Sequence, residues 1–388
     1  MPASTRRRGR KPTGGKTPSL LDLFPGHRKA AYFKRASEVL SKSLRELARA
    51  YQHRGLVLYI GAGVPRSAGL PGWADLVRAL TVRMMTRKVE SAISALGELR
   101  DEARWQLFDE LYEDLQVNQP VEKPILMLAR SLKDQFADQL PGEIARILYR
   151  RFYIRLRSEA DRKAGPAPTE PFPAASLKRY PLLEAVAALA RAERDAKGVQ
   201  AIINYNYDDL LEEYLKAQQI KCMTVLSGGD RVPDGVLPSY HVHGLIRSSE
   251  YRARRPGSPR IPAHGNFVFS EDEYHAEYSD PYRWSNMTQM SHLGRYTGLF
   301  IGLSMEDPNI RRLIDVTHRQ YPETRNFAIL TRRNSLSRSK EDKRALLRNL
   351  FEEVETTSFD RIGVGVLWVD RHEDIPGLLK KIVEEVTG

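Results

Sequence analysis

The residue types best suited to chemistry in this chain are two imidazoles beside a glycine, an amide two residues from a carboxylate, and glycines closing an apolar run. In Tyr240-His241-Val242-His243-Gly244, strand periodicity puts both histidines on one face, where they could ligate a metal. Cys222 is the only cysteine and no third ligand stands at nearby spacing, so the preferred division is a structural His241 and a catalytic base at His243. In Asn204-Tyr205-Asn206-Tyr207-Asp208, the same alternation sends Asn206 and Asp208 to one face. There, amide and carboxylate could orient ribose hydroxyls, a water or a nicotinamide amide. Capping of the turn by Asn206 and of the following helix by Asp208 would account for the same residue types without catalysis. Gly61, Gly63 and Gly69 surround a strand-to-helix transition. Their missing side chains let backbone donors approach a dinucleotide phosphate near a positive helix end, or serve only a compact turn.

Each segment needs an element to position it. The apolar run Leu56-Val57-Leu58-Tyr59-Ile60 predicts a buried strand ending at Gly61-Ala62-Gly63, and Ala201-Ile202-Ile203 predicts a second strand ahead of a helix over Asp209 to Leu215. Further buried strands are expected at Gly298 to Leu303, Phe327 to Leu330 and Val364 to Val369. Helical spacing marks Ala31 to Leu47, the stretch from Trp73 to Leu80, Trp105 to Leu115, Pro124 to Phe136, Glu143 to Leu156 and Leu182 to Arg191. The proline-rich Gly165 to Pro173 reads as a boundary or exposed turn. The expected architecture is α/β, a Rossmann-like, mostly parallel sheet with a large helical insertion. It divides into a flexible basic arm (1–27), the start of the nucleotide-binding core (28–73), a mainly helical insertion (74–200) acting as lid or auxiliary domain, and the remainder of the core (201–388).

Composition narrows the class. A single cysteine rules out an internal disulfide and a cysteine-rich zinc site, and points to a reducing compartment. No apolar stretch reaches the length of a membrane span and the basic N-terminus lacks a secretory apolar segment, so the cytoplasm is the expected location. The net charge of +12 favours acidic partners, including phosphates and nucleic acid, without specifying one. Arg252, Arg254, Arg255 and Arg260 form a basic cluster broken by Pro256, Gly257 and Pro259, an expected exposed loop.

Taken in order, these segments resemble the SIR2-like superfamily, in particular its divergent bacterial NAD-consuming branch of antiphage defence. Gly61 through Trp73 resembles the glycine-rich NAD loop, Asn206-Tyr207-Asp208 the Asn-x-Asp active segment, and His243-Gly244 the catalytic His-Gly pair. Gly302-Leu303-Ser304 is similar to the later Gly-x-Ser segment. Its continuation Met305-Glu306-Asp307-Pro308-Asn309 and the stretch Phe269-Ser270-Glu271-Asp272-Glu273-Tyr274 are similar to recurring family elements. The four-cysteine zinc module that commonly follows the His-Gly segment is missing, which favours NAD hydrolysis over protein deacylation.

The resemblance implies an NAD hydrolase that releases nicotinamide and ADP-ribose, with NAD as substrate, no retained cofactor and no metal. Its implied catalytic residues are Asn206, which positions ribose or water, and His243, which accepts a proton. Gly61, Ala62 and Gly63 would cradle pyrophosphate, Asp208 would engage the nicotinamide side, and Gly302 and Ser304 would line the adenosine-side ribose. Trp73, Trp105 and Tyr205 could offer stacking surfaces, but isolated aromatics more often fill interiors. A homo-oligomer is expected, and a partner such as a ring-shaped DNA-translocating ATPase or another infection sensor, with nucleic-acid contact open and no membrane. The competing readings are an NAD-sensing regulatory scaffold, a deacylase or ADP-ribosyltransferase, and a nucleic-acid-binding module that rests on charge alone.

Overall fold

The computed structural model describes residues 26–93, 125–162, 179–191, 197–253, 260–332 and 341–387, together with residues 103, 106, 108–110, 113 and 172. The basic arm up to residue 25, most of the expected Trp105 to Leu115 helix, nearly all of Gly165 to Pro173, and Arg254 and Arg255 lie outside the described residues.

Seven strands form one parallel sheet: β1 (Leu56–Ile60), β2 (Val199–Asn204), β3 (Cys222–Val225), β4 (Leu237–His241), β5 (Thr297–Ile301), β6 (Asn326–Thr331) and β7 (Val364–Val369). Their spatial order is β3-β4-β2-β1-β5-β6-β7. Without the edge strand β3, this is the 3-2-1-4-5-6 order of dinucleotide-binding sheets, in which the chain leaves β1 to opposite sides and opens a crevice at the carboxyl ends. The Rossmann-type sheet with a helical insertion expected from the sequence is therefore what forms. The expected strand over 298–303 stops at Ile301, because Gly302 takes a φ of +70° that turns the chain away.

The central strands read as continuous apolar runs because both faces are covered. Leu56, Leu58, Ile60, Ile202, Leu299 and Ile301 pack to one side. Val57, Tyr59, Ala201, Ile203 and Phe300 pack to the other, against Leu293, Leu313 and Ile314. Helices α1 (Gly26–Arg49), α2 (Gly63–Arg66) and α3 (Trp73–Ile93) flank β1, α4 (Ile125–Phe136) and α5 (Leu140–Arg162) belong to the insertion, and α6 (Pro181–Arg191) leads to β2. Phe136, Ile144, Tyr149 and Phe152 join the same apolar cluster as Leu58 and Ile202, so α4 and α5 extend the sheet's own core. Among the described residues no helix is long and apolar enough to cross a membrane.

Strand register aligns the segments that matter. Ile60 pairs with Asn204 on one side and Ile301 on the other, and Asn204 pairs with His241. The loops that begin at Gly61, Tyr205, Val242 and Gly302 consequently leave neighbouring strands at one edge. Two of them touch backbone to backbone. Gly63 donates to the Gly302 carbonyl at 2.9 Å, and a Cβ on Gly63 would stand 2.6 Å from the Gly302 Cα. A Cβ on Gly302 would meet the Val64 nitrogen at 2.7 Å, in a φ that side chains resist. These contacts are backbone on both sides and have nowhere to move. Gly63→Ala and Gly302→Ala are each expected to cost about 1–3 kcal/mol, read as a lowered midpoint in urea with an unchanged slope; a midpoint equal to the parent's would show the loops free to part.

Candidate functional site

The site is built on a buried ion pair. His241, the last residue of β4, is fully buried; its Nδ1 lies 3.1 Å from the Asn206 carbonyl and its Nε2 lies 2.9 Å from Glu212 Oε1. Both partners can only accept, so the ring satisfies them only when doubly protonated. Burial alone would disfavour that charge, yet the Glu212 carboxylate and the Asn206 carbonyl raise the His241 pKa. Glu212 sits on α7 (Leu210–Ala217). Burial would push its carboxyl up, but the His241 charge and hydrogen bonds from His241 and Ser239 outweigh this and bring it down to about 2. Asn204 Nδ2 also donates to Glu212 at 3.1 Å, while Asn204 Oδ1 accepts from the Asn206 amide at 3.0 Å. The loop of contacts Glu212–His241–Asn206–Asn204 closes on itself and fixes the backbone of Asn206.

That fixed backbone aims two side chains differently. Residues 205–208 are not a strand, so the expected common face for Asn206 and Asp208 does not arise. Asn206 Nδ2 donates to the Gly61 carbonyl at 3.2 Å, tying the β2 loop to the β1 loop, and its Oδ1 has no partner among the described residues. Asp208 Oδ1 accepts from the Leu210 amide at 3.2 Å, which braces the turn, while the cap position of the following helix falls to Asp209 and not to Asp208 as its position suggested. Burial first, and the Glu212 charge second, push the Asp208 carboxyl up to about 7, so it carries a proton through much of the neutral range. Asp209 accepts from the Ser248 amide at 3.1 Å and meets Tyr149 Oη at 3.3 Å, joining α5 to the segment after the His-Gly pair.

The two histidines part company at Gly244. β4 ends at His241 and the chain turns, with Gly244 at a φ of +84° and no room for a Cβ, which would fall 2.9 Å from the Phe267 Cα. The shared strand face expected for His241 and His243 is therefore replaced by opposite surroundings. His243 lies between the rings of Tyr205 and Tyr274, edge to face at centroid distances of 5.2 and 5.7 Å. Neither of its ring nitrogens has a hydrogen-bond partner among the described residues. Burial lowers the His243 pKa, against a smaller opposing pull from Asp307 and Glu277, so the ring is a neutral imidazole at pH 7. Tyr205 Oη donates to Gln289, and Tyr274 Oη donates to Asp307 Oδ2 at 3.4 Å.

Around the glycine loop, the amides of Gly61, Gly63 and Val64 donate to the carbonyls of Ile301, Gly302 and Gly61. Ala62 is left as the one residue of 61–64 whose amide has no such partner among the described residues. Helix α2 is a single turn. Ser304 is exposed at the turn after β5, where its Oγ accepts from the Glu306 amide at 3.4 Å. Asn206, Asp208, His243 and the Gly61 and Gly302 loops are thus brought to one edge of the sheet.

Residues 200–354 match the SIR2-like domain. The match takes in Asn206, Asp208, His243, Gly302 and Ser304, and covers less than half of the chain. It begins within β2 and so leaves out the glycine loop of β1 and the insertion, which the matched segment meets through the sheet and through contacts such as Gly63–Gly302 and Tyr149–Ile246. No curated protein matches the chain.

Sequence reasoning passed over Glu212, Asp209, Tyr149 and Gln289, whose partners are remote in sequence and leave no local signal. Tyr205, read as a core residue, is buried but lies against His243. Tyr274 and Asp307 stand inside two segments of recurring pattern, which was the available signal. Arg260 pairs with Asp138 at 2.8 Å on the surface.

The ion pair sets a stability prediction. Glu212→Gln keeps the shape and leaves a buried imidazolium without its counter-charge, at an expected cost of roughly 3–5 kcal/mol. Glu212 is depressed from 4.5, so its contribution is complete above that value and falls away as pH drops toward about 2. His241 is raised from 6.5, so its contribution is complete below 6.5 and is lost as pH climbs through the folded value. Urea denaturation across pH should show the largest gap between parent and Glu212→Gln between 4.5 and 6.5, and a gap independent of pH would mean the pair is neutral.

Proposed function

We propose that the chain hydrolyses NAD at the nicotinamide–ribose bond, giving nicotinamide and ADP-ribose. The observation that carries this reading is the pair of polar groups left without partners at the crevice edge: Asn206 Oδ1 and the neutral ring of His243. Among the described residues the Ala62 amide is free beside them, and Glu212 Oε2, although unpartnered, is buried behind the loop, so Asn206 Oδ1 and the His243 ring are the side-chain groups that remain for a ligand. Their place at the carboxyl edge of a 3-2-1-4-5-6 sheet supports a dinucleotide as that ligand.

In the proposed reaction, Ala62 offers its amide to the pyrophosphate, with Gly61 and Gly63 keeping the loop low. Gly302 and Ser304 border the adenosine-side ribose. Asp208, protonated near neutrality, can meet the nicotinamide amide, and Asn206 orients the reactive ribose or the water. Water attacks C1′, its proton passes to His243, and the C1′–N bond breaks with its electron pair leaving on neutral nicotinamide. NAD is consumed and no redox change occurs.

The motif resemblance extends the proposal to a cytoplasmic setting in bacterial antiphage defence, as a homo-oligomer answering to a ring-shaped DNA-translocating ATPase or another infection sensor. The basic surface leaves room for nucleic-acid contact. An NAD sensor, a deacylase or an ADP-ribosyltransferase would use the same pocket, and the products separate them.

Mass spectrometry of NAD incubated with the purified chain, alone and with candidate activators, is expected to find nicotinamide and ADP-ribose in equal amounts. Bound but intact NAD under every condition would favour sensing, and acyl-ADP-ribose from an acylated peptide would favour deacylation. His243→Ala should lower single-turnover rates by about 10²–10⁴-fold with NAD binding by calorimetry retained. His241→Ala should instead lower stability. Because burial lowers the His243 pKa, the acid limb of kcat/KM should fall below pH 6.5; a limb above that value would point to another base.

A further inference from the structure

We propose that Asp307 is a positioning residue of this site, the fixed negative charge that, across Tyr274, steadies the imidazolium formed on His243 as water gives up its proton. The proposal rests on the hydrolase reading for its chemistry, but its geometry stands apart from it. Asp307 precedes α11 (Pro308–Gln320), and its Oδ1 accepts from the amides of Asn309 at 2.7 Å and Ile310 at 3.3 Å. That cap holds the carboxylate at the end of β5, one strand from β1. Its other oxygen receives the Tyr274 hydroxyl at 3.4 Å, and the Tyr274 ring edges His243.

The charged and titratable groups that face His243 come from three places. Tyr205 approaches from the loop after β2 and is bound to Gln289. Tyr274 and Glu277 come from α9 (Glu271–Ser279), and Asp307 from the turn after β5. Glu277 is already spoken for: Asn266 Nδ2 donates to it at 2.7 Å, Ser285 Oγ donates as well, and Arg283 Nε lies 3.5 Å away. Arg312 turns to Asn309 and to the Glu277 carbonyl. Asp307 forms no ion pair among the described residues; its charge is offset only by backbone amides and a phenol. A carboxylate so placed acts through space on His243, and the tyrosine rings that edge His243 also limit screening.

The test reads His243 directly, without NAD. In the full chain labelled with ¹³C-histidine, the His243 signal is assigned by its loss in His243→Ala and titrated by NMR. Asp307→Asn and Asp307→Ser both keep a capping side chain and remove the charge, and should lower the titration midpoint by on the order of one pH unit. Asp307→Glu should return most of it. Turnover of NAD should fall about tenfold in the Asn variant with KM little changed, and the acid limb of the rate profile should move down with the midpoint. An unmoved His243 midpoint in either folded uncharged variant overturns the proposal. A moved midpoint in a chain that never cleaves NAD upholds the charge coupling and sinks the hydrolase reading instead.

Discussion

Glu212 and His241 meet 2.9 Å apart in the interior, and much of the site depends on how their charges are satisfied. An ion pair taken out of water survives only when each charge finds further hydrogen bonds. Here the carboxylate collects His241, Ser239 and Asn204, and the ring's second nitrogen takes the Asn206 carbonyl. The satisfaction of one charge therefore specifies the backbone of the neighbouring loop. Asn206 then reaches Gly61, so the constraint that begins at the end of β4 runs through β2 to β1 across adjoining strands. The Glu212 charge also helps, after burial, to keep Asp208 protonated near neutrality. One pair fixes both the shape and part of the ionisation of the crevice edge.

Two histidines separated by one residue end in opposite roles because the strand stops between them. An imidazole held by two acceptors has no lone pair to offer and cannot take a proton. His241 is such a ring, whereas His243, past the start of the turn, is edged by Tyr205 and Tyr274 and has no hydrogen-bond partner among the described residues. Burial pushes both pKa values down, and the counter-charge decides the outcome: Glu212 lifts His241 above its ordinary value, while the weaker pull of Asp307 and Glu277 does not overcome desolvation at His243. Gly244 is what makes the division possible, since a side chain there would strike the Phe267 backbone.

Most of the sheet was legible in the sequence because its strands are buried on both faces and spell unbroken apolar runs, as Leu56 to Ile60 and Val364 to Val369 do. β3 was not, since Cys222-Met223-Thr224-Val225 is short, lies at the sheet edge and buries only Val225 fully. The positions of Asn206 and His243 were legible from motif order, but their orientations were not. Period-two alternation assumes an extended chain, and both segments leave their strands before the second residue of interest. Glu212 was invisible for a different reason. On sequence alone a glutamate in the first turn of a helix is explained by the helix dipole, and nothing local tells that it faces a histidine 29 residues on.

The insertion, expected as a lid or a separate domain, is bound into the molecule by its interior. Leu132, Phe136, Ile144, Tyr149 and Phe152 lie in one apolar cluster with Leu58, Ile202 and Leu299, so α4 and α5 share the core that covers one side of the sheet. Two sets of their polar ties go to the segments that carry the site. Tyr149 Oη donates to the Ile246 carbonyl at 2.6 Å, and the Ile246 amide donates to the Tyr207 carbonyl at 2.7 Å, between Asn206 and Asp208. Lys133 on α4 pairs with Asp272 at 2.7 Å and with Glu273, one residue before Tyr274. A lid that opens freely would need a polar, separable seam with the body. The seam here is largely apolar, and the ties from Tyr149 and Lys133 end beside residues that shape the crevice, so α4 and α5 pack as part of the core.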